Sequence, residues 1–415
     1  MKTGNKRKEI ILSYIFIIIL ITTVLIFQFV FVKNVNAQEK DYKEDSTIEY
    51  MQKELLEEQI QTPEIKLLKE YIEEYSSAQM EKIFDKYSPE KMMQDVIKGK
   101  IRFSIKDLIK RCFVFFSQEI YLNINILIKL VILIVLCALL KNLQTSFLKE
   151  NVGELAFFIC YIVVVSLLVI GFKETSELGI GVIEKMVGFM YATLPIMITL
   201  LITGGNVVSG GIFQPILIMA VEISATVVKN IFIPIIFLST ILSIINNISD
   251  KIHLSKLAEL IKKIGIILIG IILTIFIGIV TIQGSVGSVA DGVASKTVKF
   301  AIGTFIPVVG GYLSDAADTV IGCSLLIKNA AGVIVLIGII AVCLMPIMKI
   351  AAVVLLYKIT CALVEPISEK RITDCINDIA NSMILIIGSV AVVAFMFIVS
   401  ITAIIAAGNM SAMIR

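Results

Sequence analysis

The chain has 415 residues, 57% of them hydrophobic, and a mean hydropathy of +0.94. That apolar excess excludes an ordinary soluble domain and sets the class as membrane protein. A net charge of +3 is too small to point to nucleic acid, and a single histidine, His253, excludes a histidine-built metal centre. The seven cysteines have no CxxC spacing, and Cys137, Cys160, Cys323 and Cys343 lie inside apolar runs, so they read as small core residues.

Residues 1–37 read as a signal peptide or an uncleaved signal anchor. Lys2, Lys6, Arg7 and Lys8 open it, 10–32 is apolar, and Val35-Asn36-Ala37 fits a cleavage site. Either form puts the next segment on the extracytoplasmic side. Residues 38–118 form an extracytoplasmic region of short amphipathic helices, with apolar stripes at Ile48, Met51, Leu55; at Ile65, Leu68, Ile72; and at Met80, Phe84, Tyr87. Pro63 separates the first two stripes, and Ser104-Ile105-Lys106-Asp107 is a capping-box pattern that opens a further helix. This region is either a docking domain for an extracytoplasmic partner or a solvated lead-in. Lys98, Lys100, Arg102, Lys106, Lys110 and Arg111 then lie outside, against the positive-inside rule, which a helix lying on anionic headgroups would explain.

The first span and its connector occupy 119–154. Candidate spans follow at 120–140, 155–172, 186–202, 212–228, 231–248, 264–282, 300–313, 319–327, 331–357 and 380–407. A crossing needs roughly 20 apolar residues, so 300–313 and 319–327 are too short and 186–202 is marginal. Short paired pieces fit half-helices of re-entrant hairpins. Three polar connectors, 141–154, 249–263 and 365–381, fall on the cytoplasmic side. The Gly- and Ser-bearing stretches 173–185 and 283–299 fall outside.

Prolines set the register of an internal repeat. Pro195 with Pro307 and Pro234 with Pro346 share one spacing, which also pairs Gly204-Gly205-Asn206 with Ala316-Ala317-Asp318. The expected fold is all-α and polytopic. It has two parallel membrane repeats, 155–263 and 264–380, a final span and tail at 381–415, and re-entrant half-helix hairpins. Gly204, Gly205, Asn206, Asp315 and Asp318 are the candidate re-entrant tips, where exposed backbone and carboxylates would meet a substrate or ion; ordinary loops are the alternative. Glu222, inside an apolar run, is a candidate membrane-buried charge, with Lys229 a possible partner. There is no phosphate loop, zinc-ligand spacing or nucleophile elbow, so neither an enzyme nor a cofactor is expected.

The sequence resembles the stage III sporulation protein AE family. The resemblance is carried by GKIRFSIKDLIK, LLKNLQTSF, YATLPIMITLLITGG, NIFIPIIFLSTILSIINNIS, the long stretch from TIQGSVGSVADGVASKTVKF to GCSLLIKN, and the final ITAIIAAGN, over most of 98–409. It implies a multi-pass protein of the mother-cell membrane surrounding the forespore, within a channel-like secretion complex needed for forespore development. The implied partners are the lipid bilayer, the other stage III sporulation A-series proteins including an ATPase, and the forespore stage II sporulation protein Q. It implies no catalytic residues. A small-molecule or ion transporter and a structural assembly platform are the alternative functions.

Overall fold

The computed structural model describes residues 61–83, 105–147, 150–248, 253–305 and 310–414. The signal region 1–37, the stripe at Ile48, Met51 and Leu55, and Pro307 lie outside them. The described residues form α1 (Pro63–Ile83), α2 (Ile105–Phe147), α3 (Glu150–Thr203), α4 (Val207–Val227), a π-helical turn (Val228–Phe232), α5 (Ile233–Ile248), α6 (Ser255–Phe305), α7 (Gly310–Val364) and α8 (Lys370–Ile414), with no strand among them. Counting α4 and α5 as one rod, six are long and apolar enough to cross a membrane.

Ten candidate stretches thus become six rods. The 54 residues of α3 make a rod about 81 Å long, against roughly 30 Å of bilayer hydrocarbon. The expected connector 173–185 is helix interior. Its charged residues lie outward, and Lys173 pairs with Glu177 one turn on, at 3.6 Å. Its other face continues an unbroken buried stripe through Leu168, Phe172, Ser176, Val182, Met186, Phe189 and Thr193. The stretch 283–299 is likewise inside α6, where Phe276, Val280, Gln283, Ser288 and Asp291 are buried.

Proline does not end these rods. Pro195, Pro215 and Pro346 sit inside α3, α4 and α7. Pro234 stands two residues past the π-helical turn, directly after Ile233, whose N–H reaches back to the Val228 carbonyl. A proline ring crowds the carbonyl four residues earlier, and a widened turn relieves that clash.

The centre of the bundle is α7 and α8. In each, 56% of the most apolar window is buried, against 17% in α2 and 22% in α6, which are outer helices. The outer face of α6 carries Ile264, Ile267, Ile271, Ile275, Ile282, Val286, Val289 and Val293, a stripe suited to lipid tails. Pro63 is the first residue of α1, and the stripe Ile65, Leu68, Ile72 is buried against the chain's own α7 and α3. Tyr75 meets the Phe189 ring at 6.0 Å. Each buried aliphatic in that stripe contributes about 2 kcal/mol, so α1 is part of this bundle. Lys110 and Arg111 line a cleft of about 510 Å3 along α2 with Gln118 and Glu119.

The three polar connectors gather at one end. Lys141 of α2 pairs with Glu369 between α7 and α8. Ser243 and Asn247 of α5 donate to Asp378 of α8. The Asn246 side-chain oxygen accepts from Leu254 N and Ser255 N at 2.8 and 3.0 Å, which caps α6. Two long hairpins therefore rise from that end in the same sense, α3 to α5 and α6 to α7, followed by the single rod α8. The turn of the first is at 204–206. In the second, α6 ends at Phe305 and α7 begins at Gly310, and Ala316-Ala317-Asp318, the stretch paired with the first turn by proline spacing, is inside α7.

Candidate functional site

The α3–α4 turn is built by its residue types. Gly205 takes φ 77°, a left-handed conformation that glycine adopts without a Cβ clash. Asn206 follows at the N-cap of α4, but its side chain does not cap the helix. Its Nδ2 instead donates to the carbonyls of Gly204 at 3.1 Å and Leu201 at 3.4 Å. The cap comes from another hairpin. Asp291 of α6 accepts from Val208 N at 2.8 Å through Oδ1 and from Ser209 N at 3.1 Å through Oδ2. Helix N-terminal N–H groups lack partners within the helix, and a carboxylate satisfies both the hydrogen bonds and the positive end of the dipole.

A stripe on α6 makes this contact possible. Gln283, Gly287 and Asp291 recur every four residues and so share one helix face. The Gln283 Nε2 donates to the Ile212 carbonyl at 2.8 Å. At Gly287 an added Cβ would lie 2.6 Å from Ser209 Oγ, so only glycine lets the two helices meet there. On the other flank, Lys328 of α7 donates to the Ile405 carbonyl of α8 at 3.0 Å. A side chain on Gly408 would collide with that ammonium. Asn329 donates to Asn409 at 3.2 Å.

This polar layer is deeply buried: Asn206, Ser209 and Lys328 are 0% exposed, Asp291 2% and Gln283 7%. The turn is not the extremity of the molecule. Leu325 is level with Gly204 and Asp291 with Ser209, yet α6 runs on to Phe305 and α7 starts at Gly310. The second hairpin overtops the first by about four turns, and α6, α7 and α8 wall in the turn.

The candidate residues divide. Gly204, Gly205 and Asn206 are at this buried turn. Asp315 and Asp318 are not at a turn; both are in α7, and Asp318 accepts from Lys299 at 2.7 Å on an exposed face. Glu222 is on the outer face of α4, where the Tyr191 hydroxyl donates to it. Lys229 pairs with Glu184 at 2.6 Å and not with Glu222. Pro195 is in α3, Pro234 in the first turn of α5 and Pro346 in α7. Sequence reasoning missed Asp291, Lys328, Gln283 and Ser209. The four-residue spacing of Gln283, Gly287 and Asp291 was the available signal.

Six apolar rods enclosing a buried polar turn define a polytopic helical membrane protein. The family model for stage III sporulation protein AE matches residues 87–408. A protein of Bacillus subtilis (strain 168) named "Stage III sporulation protein AE" is 33% identical over 323 residues, which cover 78% of this chain and 81% of that relative. The chain belongs to the stage III sporulation protein AE family, and no solved structure matches it.

Proposed function

We propose that the chain is an integral subunit of a channel-like secretion complex between mother cell and forespore, seated in the mother-cell membrane around the forespore. Membership of a sporulation family supports the setting. The observation that carries the finer reading is the buried layer of Asn206, Ser209, Gln283, Asp291 and Lys328 inside an apolar body. Helices that only anchor or scaffold gain nothing from buried charge, whereas polar groups at membrane depth mark pathways. The other stage III A-series proteins, an ATPase among them, and the forespore stage II protein Q are the partners of this reading.

The test is complementation in Bacillus subtilis lacking its stage III AE protein. This chain should restore heat-resistant spores, and a tag on its C-terminus should co-isolate the A-series ATPase. Restored spores with an isolated, partner-free chain would instead support a free-standing transporter.

A further inference from the structure

We propose that the seam between α4 and α6 at the buried turn binds a small monovalent cation, with sodium the first choice. Three side-chain oxygens there have no hydrogen-bond partner: Asn206 Oδ1, Ser209 Oγ and Gln283 Oε1. All three side chains are more than nine-tenths buried. Their identity as oxygens is fixed by their own amide nitrogens. Asn206 Nδ2 faces two carbonyls and Gln283 Nε2 faces a third, so neither amide can be turned round without setting oxygen against oxygen.

The use of Asn206 sharpens the point. Asparagine at an N-cap ordinarily turns its oxygen onto the helix N–H groups. Here Asp291 occupies those of Val208 and Ser209, and the asparagine oxygen is released. Each Asp291 oxygen accepts one N–H and retains further lone-pair capacity. The seam thus holds one carboxylate, two amide oxygens and a hydroxyl, while the cation of the same layer, Lys328, donates to the Ile405 carbonyl on the α7–α8 flank; the acceptors of the α4–α6 seam itself suit a positive guest. A divalent ion commonly draws on several carboxylates; one carboxylate with neutral oxygens fits a single positive charge. The site also sits where α3 ends, and the carbonyl end of a helix favours a cation, while Asp291 cancels the opposing dipole of α4.

Ser209 and Gln283 are one turn apart along the seam: Gln283 bonds the Ile212 carbonyl, and Gly287 between Gln283 and Asp291 touches Ser209. Gly287 is therefore what admits the serine hydroxyl to the seam. Such a site is independent of whether the chain works in a channel or alone.

The experiment follows thermal unfolding of the purified full chain in nanodiscs in sodium, potassium, lithium and choline chloride at equal ionic strength. Sodium should raise Tm saturably above choline. Ser209→Ala should weaken the apparent sodium Kd by about tenfold while melting like the parent chain in choline; Gln283→Leu should weaken it by a similar factor from a lower Tm in choline, since it also removes the bond to the Ile212 carbonyl. Asp291→Asn should abolish the sodium response; if it does not fold, the other two variants decide. Equal melting in all four salts would overturn the proposal and leave the seam to ordered water. A sodium response unchanged in both Ser209→Ala and Gln283→Leu would also overturn it, by placing the ion elsewhere.

Discussion

Lys328 is the most demanding single residue in the bundle. A fully buried ammonium must give up its water, and the structure supplies it with the Ile405 carbonyl and the room left by Gly408. If the lysine were only packing, an apolar side chain of like length would serve better, because desolvating a charge costs more than burying a thioether. Lys328→Met should therefore leave thermal stability within about 1 kcal/mol of the parent chain, or raise it. Heat-resistant spore yield should nevertheless fall. A variant that melts normally and sporulates fully would reduce Lys328 to a tolerated burial. Neither Lys328 nor Asp291 stood out in the sequence. Lys328 follows a short apolar piece, 319–327, and precedes a long one, 331–357, and Asp291 lies among Gly and Ser residues that read as a loop. By contrast, Gly204-Gly205-Asn206 was legible, since turn chemistry is local and the φ of 77° at Gly205 is what the glycine pair is for.

Elements were misread where hydropathy and helical period disagree. An averaged window falls at 173–185 and 283–299 because Lys, Glu, Gly and Ser lower it. The period does not fall, since one face of α3 and one of α6 stay buried throughout. Tertiary packing, with α8 against both helices, keeps those rods continuous. The same comparison sorts the glycines of α6. Gly287 faces Ser209, with an added Cβ 2.6 Å from the hydroxyl and 3.3 Å from the serine Cβ, so a larger side chain would have to displace that serine. Gly278 has nothing within 4 Å. Gly287→Leu should destabilise by about 1–3 kcal/mol through overpacking. Gly278→Ala should be neutral or stabilise by up to about 1 kcal/mol through helix propensity. Chemical denaturation of the two variants beside the parent chain measures both. Equal midpoints would mean that the α4–α6 seam is open.

At the scale of the whole molecule, the all-α fold class with several apolar helices long enough to cross a membrane was legible. The register of turns was not, because Gly204-Gly205-Asn206 is at a helix break while Ala316-Ala317-Asp318, the stretch paired with it, is inside α7. If each of the six helices long and apolar enough to cross does so once, the number is even and the start of α2 and the end of α8 share one side. The end that gathers the connectors carries Lys141, Lys256, Lys262, Lys263, Lys370 and Arg371. At the other end, Lys299 is neutralised by Asp318. Basic residues in short loops remain cytoplasmic and the signal-like start sends the following segment outward, which places the connector end inside; Lys106, Lys110 and Arg111 at the start of α2 run against the charge rule and fit a helix start lying on anionic headgroups. Alkaline phosphatase fused after Ile414 should be active, whereas a fusion at Ser368 should be inactive and a fluorescent protein there bright. Single cysteines replacing Lys256 and Lys299, in a chain whose native cysteines are changed to serine or alanine, should label from opposite faces of sealed vesicles. Labelling of both from one face would remove a crossing from α6, whose stretch from Lys256 to Lys299 includes the outer stripe of isoleucines and valines, and would leave that stripe without lipid to face.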